Sequence, residues 1–197
     1  MRKFNVILFD GFETLDAFGP VEVIGRLIDE YSLAYHSQDG GLIKSRQQVA
    51  VDTLSFAELD VSGIMLIPGG MGTRVLVNDM SFIEQLKELV VESPYVLTVC
   101  TGAALLAKTG MLNGMKATSN KRAFEWARSN GTEVEWIKRA RWVKDGKYYT
   151  SSGISAGMDM ALGFVGDLHG IEIAQAIAED IEYLWNADAD NDPFAAE

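Results

Sequence analysis

Short blocks of apolar residues recur along the chain, beginning with Phe4 to Phe9, where only Asn5 interrupts the run. Blocks without polar alternation describe strands covered on both faces of a sheet. Residues 3–9, 31–36, 64–67 and 95–99 read this way, and a short strand is expected at 116–118. Between them, apolar positions fall at helical spacing. Val21, Ile24, Leu27 and Ile28 place a helix over residues 15–30, with Gly19-Pro20 near its start, where proline's missing N–H costs little. Phe82, Leu86, Leu89 and Val90 place another over 81–91, with Ser81 as N-cap and Glu84 completing a capping box. Further helices are expected over 101–111, up to Arg128, over 154–168 and over 171–185, with His169-Gly170 between the last two. Asp39-Gly40-Gly41 reads as a turn, Ile43 and 49–51 as a small antiparallel excursion, and 134–136 and 140–150 as strands, the latter bent into a hairpin at Asp145-Gly146.

Strands alternating with helices define an α/β fold, a mostly parallel sheet with helices on both faces. No linker, repeat or low-complexity stretch interrupts it. One domain is therefore expected over residues 1–187, with 188–197 as an acidic tail and the chain loose from Asn186 onward.

Composition narrows the function. With 48% hydrophobic and 23% charged residues, the 197-residue chain can bury a core without disulfides or metal. Cys100 is the single cysteine, so no internal disulfide asks for an oxidising compartment. Neither a signal peptide nor an apolar stretch of membrane-spanning length is read, which makes a cytoplasmic protein the expectation. A net charge of −11 argues against nucleic acid and anionic membranes as partners and leaves a small molecule. The densest basic stretch, Lys138, Arg139, Arg141 and Lys144 among Trp136 and Trp142, reads as alternating faces of a surface strand rather than a single-strand binding patch. One cysteine and two scattered histidines build no metal-ligand set, and no phosphate-binding glycine motif with its lysine is present, so neither metal nor cofactor is expected.

The chemistry concentrates at Cys100, between a buried strand and a helix. In an open parallel sheet the carboxyl ends of the strands form the ligand crevice. A thiol there faces a helix N-terminus, which favours thiolate, and Gly102 permits the tight path of a nucleophile elbow. Pro68-Gly69-Gly70-Met71-Gly72 ends another strand, where glycines let backbone N–H groups approach a ligand. A nucleophile needs a proton partner. His36 and His169 lie outside such turns and read as structural or surface residues. Asp16, flanked by apolar residues after the first strand, reads equally as a proton carrier with a raised pKa and as a helix N-cap.

Four blocks in order resemble the ThiJ/PfpI superfamily, which is class I glutamine amidotransferase-like. They are Asp10 to Asp16 with Gly19-Pro20, Ile67-Pro68-Gly69-Gly70, Val99-Cys100-Thr101-Gly102, and Ser155 to Leu162. The resemblance implies a flavodoxin-like three-layer sandwich, a homodimer, a nucleophile elbow at Cys100 and an acidic residue hydrogen-bonded to the thiol, here at Asp16. Leu-Asp-x-x-Gly-Pro with Cys-Thr-Gly is similar to the isocyanide hydratase branch and to amidase-like domains of certain transcription regulators, whose helix-turn-helix module is not expected here. Many relatives place a histidine after the cysteine-bearing helix, where Asn120 stands in this chain. The expected function is hydration of a small electrophile, with Cys100 as nucleophile and Asp16 as general acid and base. Gly69, Gly70 and the Thr101 N–H would stabilise charge, and the Thr101 hydroxyl would orient water. Met71, Gly153 and Ile154, with Phe12 and Thr14, would line the pocket. The alternatives are glyoxalase- or deglycase-like chemistry on methylglyoxal, and a redox sensor or stress protein whose cysteine oxidises reversibly.

Overall fold

The computed structural model describes residues 1–195. The first half of the chain forms β1 (Arg2–Ile7), α1 (Thr14–Gly25), β2 (Tyr31–Ser37), β3 (Asp39–Lys44), β4 (Ala50–Ser55), a single 3-10 turn (Phe56–Glu58), β5 (Ile64–Ile67), α2 (Thr73–Leu76), α3 (Met80–Glu92) and β6 (Val96–Val99). The second half forms α4 (Gly102–Lys108), β7 (Lys116–Ala117), α5 (Phe124–Ser129), β8 (Glu135–Trp136), β9 (Trp142–Asp145), β10 (Tyr148–Ser151), α6 (Ala156–His169) and α7 (Ile171–Asp180). The expected α/β architecture is present, with an eight-stranded sheet ordered β3-β4-β2-β1-β5-β6-β10-β9. Its centre is parallel, and only the β3–β4 and β9–β10 pairs are antiparallel. The apolar blocks occupy that centre: every residue of β5, β6 and β10 is buried. Helices α1, α6 and α7 pack together as one group, and α2, α3, α4 and α5 as another, completing the layers. Among the described residues no helix is long and apolar enough to cross a membrane.

The chain runs from β1 outward to β2 and then back to β5 on the other side of β1. This reversal opens a crevice at the carboxyl ends of β1 and β5, where the intervening loops diverge. The segments following β1, β5 and β6 therefore meet at one place.

Several boundaries differ from the sequence reading. Helix α1 ends at Gly25, because residues 26–30 must turn back into β2, with Tyr31 N–H bonded to Leu27 O. Pro20 sits inside that helix, buried, with Gly19 closely facing Met158 on α6. Close interhelical packing outweighs the missing backbone donor. Asp39-Gly40-Gly41 belongs to β3, and the turn falls after it, where Gln48 takes a φ of +67°. The N-cap of α3 is Asp79, not Ser81, since the Asp79 carboxylate accepts the Phe82 N–H at 3.1 Å. Glu182 has a φ of +52° and ends the last helix early, turning Tyr183 and Trp185 inward.

The acidic tail is also not loose. Asp192 is buried and its N–H bonds to Arg139 O at 2.8 Å, while Arg141 N–H bonds to Ala189 O at 2.7 Å. Arg141, read as a surface residue, is buried: its Nε is 2.6 Å from Asp159 Oδ2 and its Nη1 is 3.6 Å from Asp192 Oδ1. Asp159 Oδ1 in turn accepts from the Tyr183 hydroxyl and the Asn186 N–H. Acidic residues that read as solvated charge find buried cations instead. Removing one partner of such a pair leaves the other charged and dry, at a cost of about 3–5 kcal/mol. Asp159→Ala is expected to lose about that much in urea unfolding, and Arg141→Met with Asp159→Leu to recover most of it. An Asp159→Ala loss no larger than that of an exposed pair would show that the network does not hold the tail.

Candidate active site

Three loops meet beside the thiol because their backbones touch without side chains between them. A Cβ on Gly102 would lie 2.3 Å from Ile67 O, and one on Gly69 would lie 2.6 Å from Thr101 N. Neither position tolerates a side chain. Gly70, at a φ of +127°, pairs with Phe12 in an isolated bridge, and Gly69 O accepts the Glu13 N–H at 2.9 Å. The loop after β5 is thus bonded to the loop after β1 and pressed against the turn after β6.

On that turn Cys100 has a φ of +57°. A left-handed backbone costs a residue with a Cβ on the order of 1–2 kcal/mol and survives only where its surroundings impose it. Here the Cys100 N–H points to the carbonyls of Ser151 and Ser152 at 3.2 and 3.1 Å, and its own carbonyl accepts the Ser119 hydroxyl at 2.7 Å. The expected elbow is present, and its strain is held from both sides.

Asp16 is fully buried in the first turn of α1. It is not the N-cap, a position taken by Glu13; its Oδ2 instead accepts the Gly69 N–H at 3.0 Å. Oδ1 is buried and has no hydrogen-bond partner of the kinds formed by nitrogen and oxygen donors among the described residues, and the Cys100 thiol interacts with this carboxyl. Burial pushes the Asp16 pKa from 3.8 up to about 7, against the pull of the Gly69 N–H. The thiol moves the same way: burial first, and then the neighbouring Asp16, raise it well above the ordinary value, outweighing the Thr101 N–H and hydroxyl. The helix end favours thiolate, and burial acts against it. The thiol and the carboxyl thus share one dry setting that favours the neutral form of each.

The remaining expected residues divide. Gly69 spends its N–H on Asp16, and Gly70 donates its N–H to Thr101 Oγ1 at 3.1 Å. Neither N–H is free for a developing charge, and the Thr101 hydroxyl is committed to Gly70 rather than free to orient water. The Thr101 N–H faces the sulfur. Gly153 follows Ser152 and packs on the Asn120 side chain, so Asn120 stands beside the segment that holds the elbow. Ile154, at a φ of +35°, and Met71 are 40% and 55% exposed, and neither side chain has a described contact with the thiol. Phe12 is buried in the core, whereas the Thr14 hydroxyl bonds to Ser45 and Gln47. His36 lies near the end of β2, with β1 and β5 between it and β6, and His169 bonds to Tyr31 at the opposite end of the sheet. The residue missed by the sequence reading is Arg74, on the unexpected α2, whose charge interacts with Cys100. A cation directly after a glycine-rich strand-end turn was the available signal.

A strained cysteine elbow on the parallel centre of the sheet, with a carboxyl from the first turn of α1 beside it, defines the class of α/β protein. Residues 2–166 match the DJ-1/PfpI family, and the chain belongs to it. It is 28% identical over 184 residues to an isonitrile hydratase of Pseudomonas putida, covering 92% of this chain and 78% of the hydratase. It is 27% identical over 151 residues to a deglycase of Thermococcus kodakarensis, covering 76% of this chain and 89% of the deglycase. A ThiJ/PfpI family protein from Pseudomonas syringae superposes with a TM-score of 0.80 at 24% identity, covering 98% of this chain and 77% of that one. The fold is the flavodoxin-like sandwich of the family.

The raised Asp16 pKa carries a stability consequence with a definite sign. The folded state favours the neutral carboxyl, so this contribution is complete below about pH 4 and is lost as pH rises through about 7. From 3.8 to about 7 the upper limit is about 4 kcal/mol. Asp16→Asn does not titrate, so its melting temperature relative to wild type is expected to climb between pH 4 and 8. A difference flat across that range would show that the carboxyl titrates normally.

Proposed function

We propose that this chain is a cytoplasmic, cysteine-dependent enzyme that hydrates a small carbon electrophile, in the manner of an isocyanide hydratase. The observation that carries this reading is the pairing, at the strained elbow, of the Cys100 thiol with a buried carboxyl whose pKa is about 7. A group of that pKa holds and releases a proton with equal ease at neutral pH, as general acid–base catalysis requires. In the proposed reaction the Asp16 carboxylate takes the thiol proton as sulfur attacks the terminal isocyanide carbon. The S–C bond forms, and Asp16 returns the proton to that carbon to give a thioimidate. Water then adds to the same carbon, its first proton passing through Asp16 to the nitrogen and its second passing to Asp16 as the carbonyl forms. The C–S bond breaks with its electron pair on sulfur, Asp16 reprotonates the thiol, and an N-substituted formamide leaves.

The similarity to the isonitrile hydratase over most of both chains supports this reading. The glyoxalase- or deglycase-like alternative draws support from the deglycase relative. The position of both histidines away from the elbow disfavours it. The sensor reading is disfavoured by the raised thiol pKa, because it is the thiolate that attacks peroxide.

The deciding assay offers the purified protein an alkyl isocyanide and methylglyoxal side by side. Isocyanide turnover is expected. Cys100→Ser is expected to abolish it, and Asp16→Asn to lower kcat/KM by roughly 100-fold to 10,000-fold, the range typical of a lost general acid–base. Full activity in Cys100→Ser, or turnover of methylglyoxal alone, would sink the proposal.

A further inference from the structure

Arg74 has no part in the reaction above, and its surroundings are unusual for a cation. It follows Thr73, whose hydroxyl lies 3.1 Å from the Thr101 hydroxyl, so α2 holds it against the nucleophile turn. Its guanidinium carbon stands 3.3 Å from the centroid of the Trp126 ring, so the cation lies over the indole. Nη1 is buried without a hydrogen-bond partner, and Arg74 takes part in none of the salt bridges among the described residues. Asp16 is not its counter-ion, because Oδ2 is bonded to Gly69 and the charges acting on Asp16 do not include Arg74. Burial depresses the guanidinium pKa, and Cys100 is the one group acting in the opposite direction.

A partly desolvated cation with an idle N–H is costly, and the cost falls when an anion docks against it. The planar fork of arginine suits a carboxylate, and the indole beneath keeps it from swinging into water. The rest of the protein works the other way, since a net charge of −11 repels anions and leaves attraction to a local cation.

We infer that Arg74, seated on Trp126, receives a carboxylate or similarly charged group of the substrate, so that the site takes small electrophiles carrying an anionic group. The inference rests on the reading of Cys100 as the nucleophile, and its test separates the two. Iodoacetate and iodoacetamide are nearly the same size and differ in charge. Each is attacked by sulfur at its methylene carbon, forming a C–S bond as iodide leaves with the electron pair and the thiol proton passes to Asp16 or solvent. Cys100 is the single cysteine, so intact mass reports its modification directly.

Because both reagents share the reactivity of the thiol, the ratio of their rates isolates the anion's contribution. In wild type iodoacetate is expected to react faster than iodoacetamide. In Arg74→Gln the ratio is expected to fall by about tenfold or more, the scale of a lost charge-assisted hydrogen bond, with Arg74→Lys between the two. Should Arg74→Gln fail to fold, wild type answers alone: acetate is expected to slow iodoacetamide labelling where acetamide does not. A ratio unchanged in Arg74→Gln, or no protection by acetate, overturns the anion site and leaves the nucleophile standing. A Cys100 inert to both reagents overturns the nucleophile and this inference with it.

Discussion

The site depends on two backbones lying against each other. The strand-end loop at Pro68-Gly69-Gly70 passes so close to the turn at Cys100-Thr101-Gly102 that a single methyl group at Gly69 or Gly102 would collide with main-chain atoms. That contact starts α4 directly behind the strand end and puts the Gly69 N–H within reach of Asp16. It also lets Gly70 and Thr101 satisfy each other. With a bulkier loop the elbow would move outward and the carboxyl would lose the donor that orients it. Hydrophobic burial of β1, β5 and β6 brings the three loops to one edge of the sheet, while the glycines set their separation there.

Electrostatics at this edge follow from dryness more than from partial charges. A helix N-terminus favours thiolate, while at Cys100 loss of solvent pushes the thiol pKa up. The same exclusion of water lifts Asp16 toward neutrality. Both groups move upward on the pH scale for the same reason. Arg74 is the counterweight at this edge, a charge that the fold brings in without bringing its partner.

Much of this was legible in the sequence, for identifiable reasons. Uninterrupted apolar blocks such as Ile64–Ile67 can only be interior strands, so the sheet and its helical layers could be read directly. Cys100 and Asp16 lay beside turn chemistry that marks strand ends, and the glycine block at 68–72 pointed to the same edge. What stayed hidden depends on contacts between distant segments. Arg141 and Asp192 read as surface charges because nothing local shows that they meet in the interior. Asp79 lay just outside the apolar period that suggested Ser81 as the cap. The hydrogen bonds of Gly69 and Gly70 could not be assigned, because an N–H free to bind a ligand and one already taken look identical in sequence. Arg74 escaped for a similar reason: its partner Trp126 comes from α5, a remote element.

The left-handed backbone at Cys100 places chemistry and durability in opposition at a single residue. Most positions that carry function are neutral toward the stability of the chain, and drift there is checked only by selection for activity. At the elbow the wild-type residue is itself the uncomfortable choice, because glycine would relax the backbone without disturbing the carbonyls around it. Losing the side chain is therefore downhill for the fold. A more comfortable backbone lies one substitution away, so a side chain at this position is held at a standing cost to the fold.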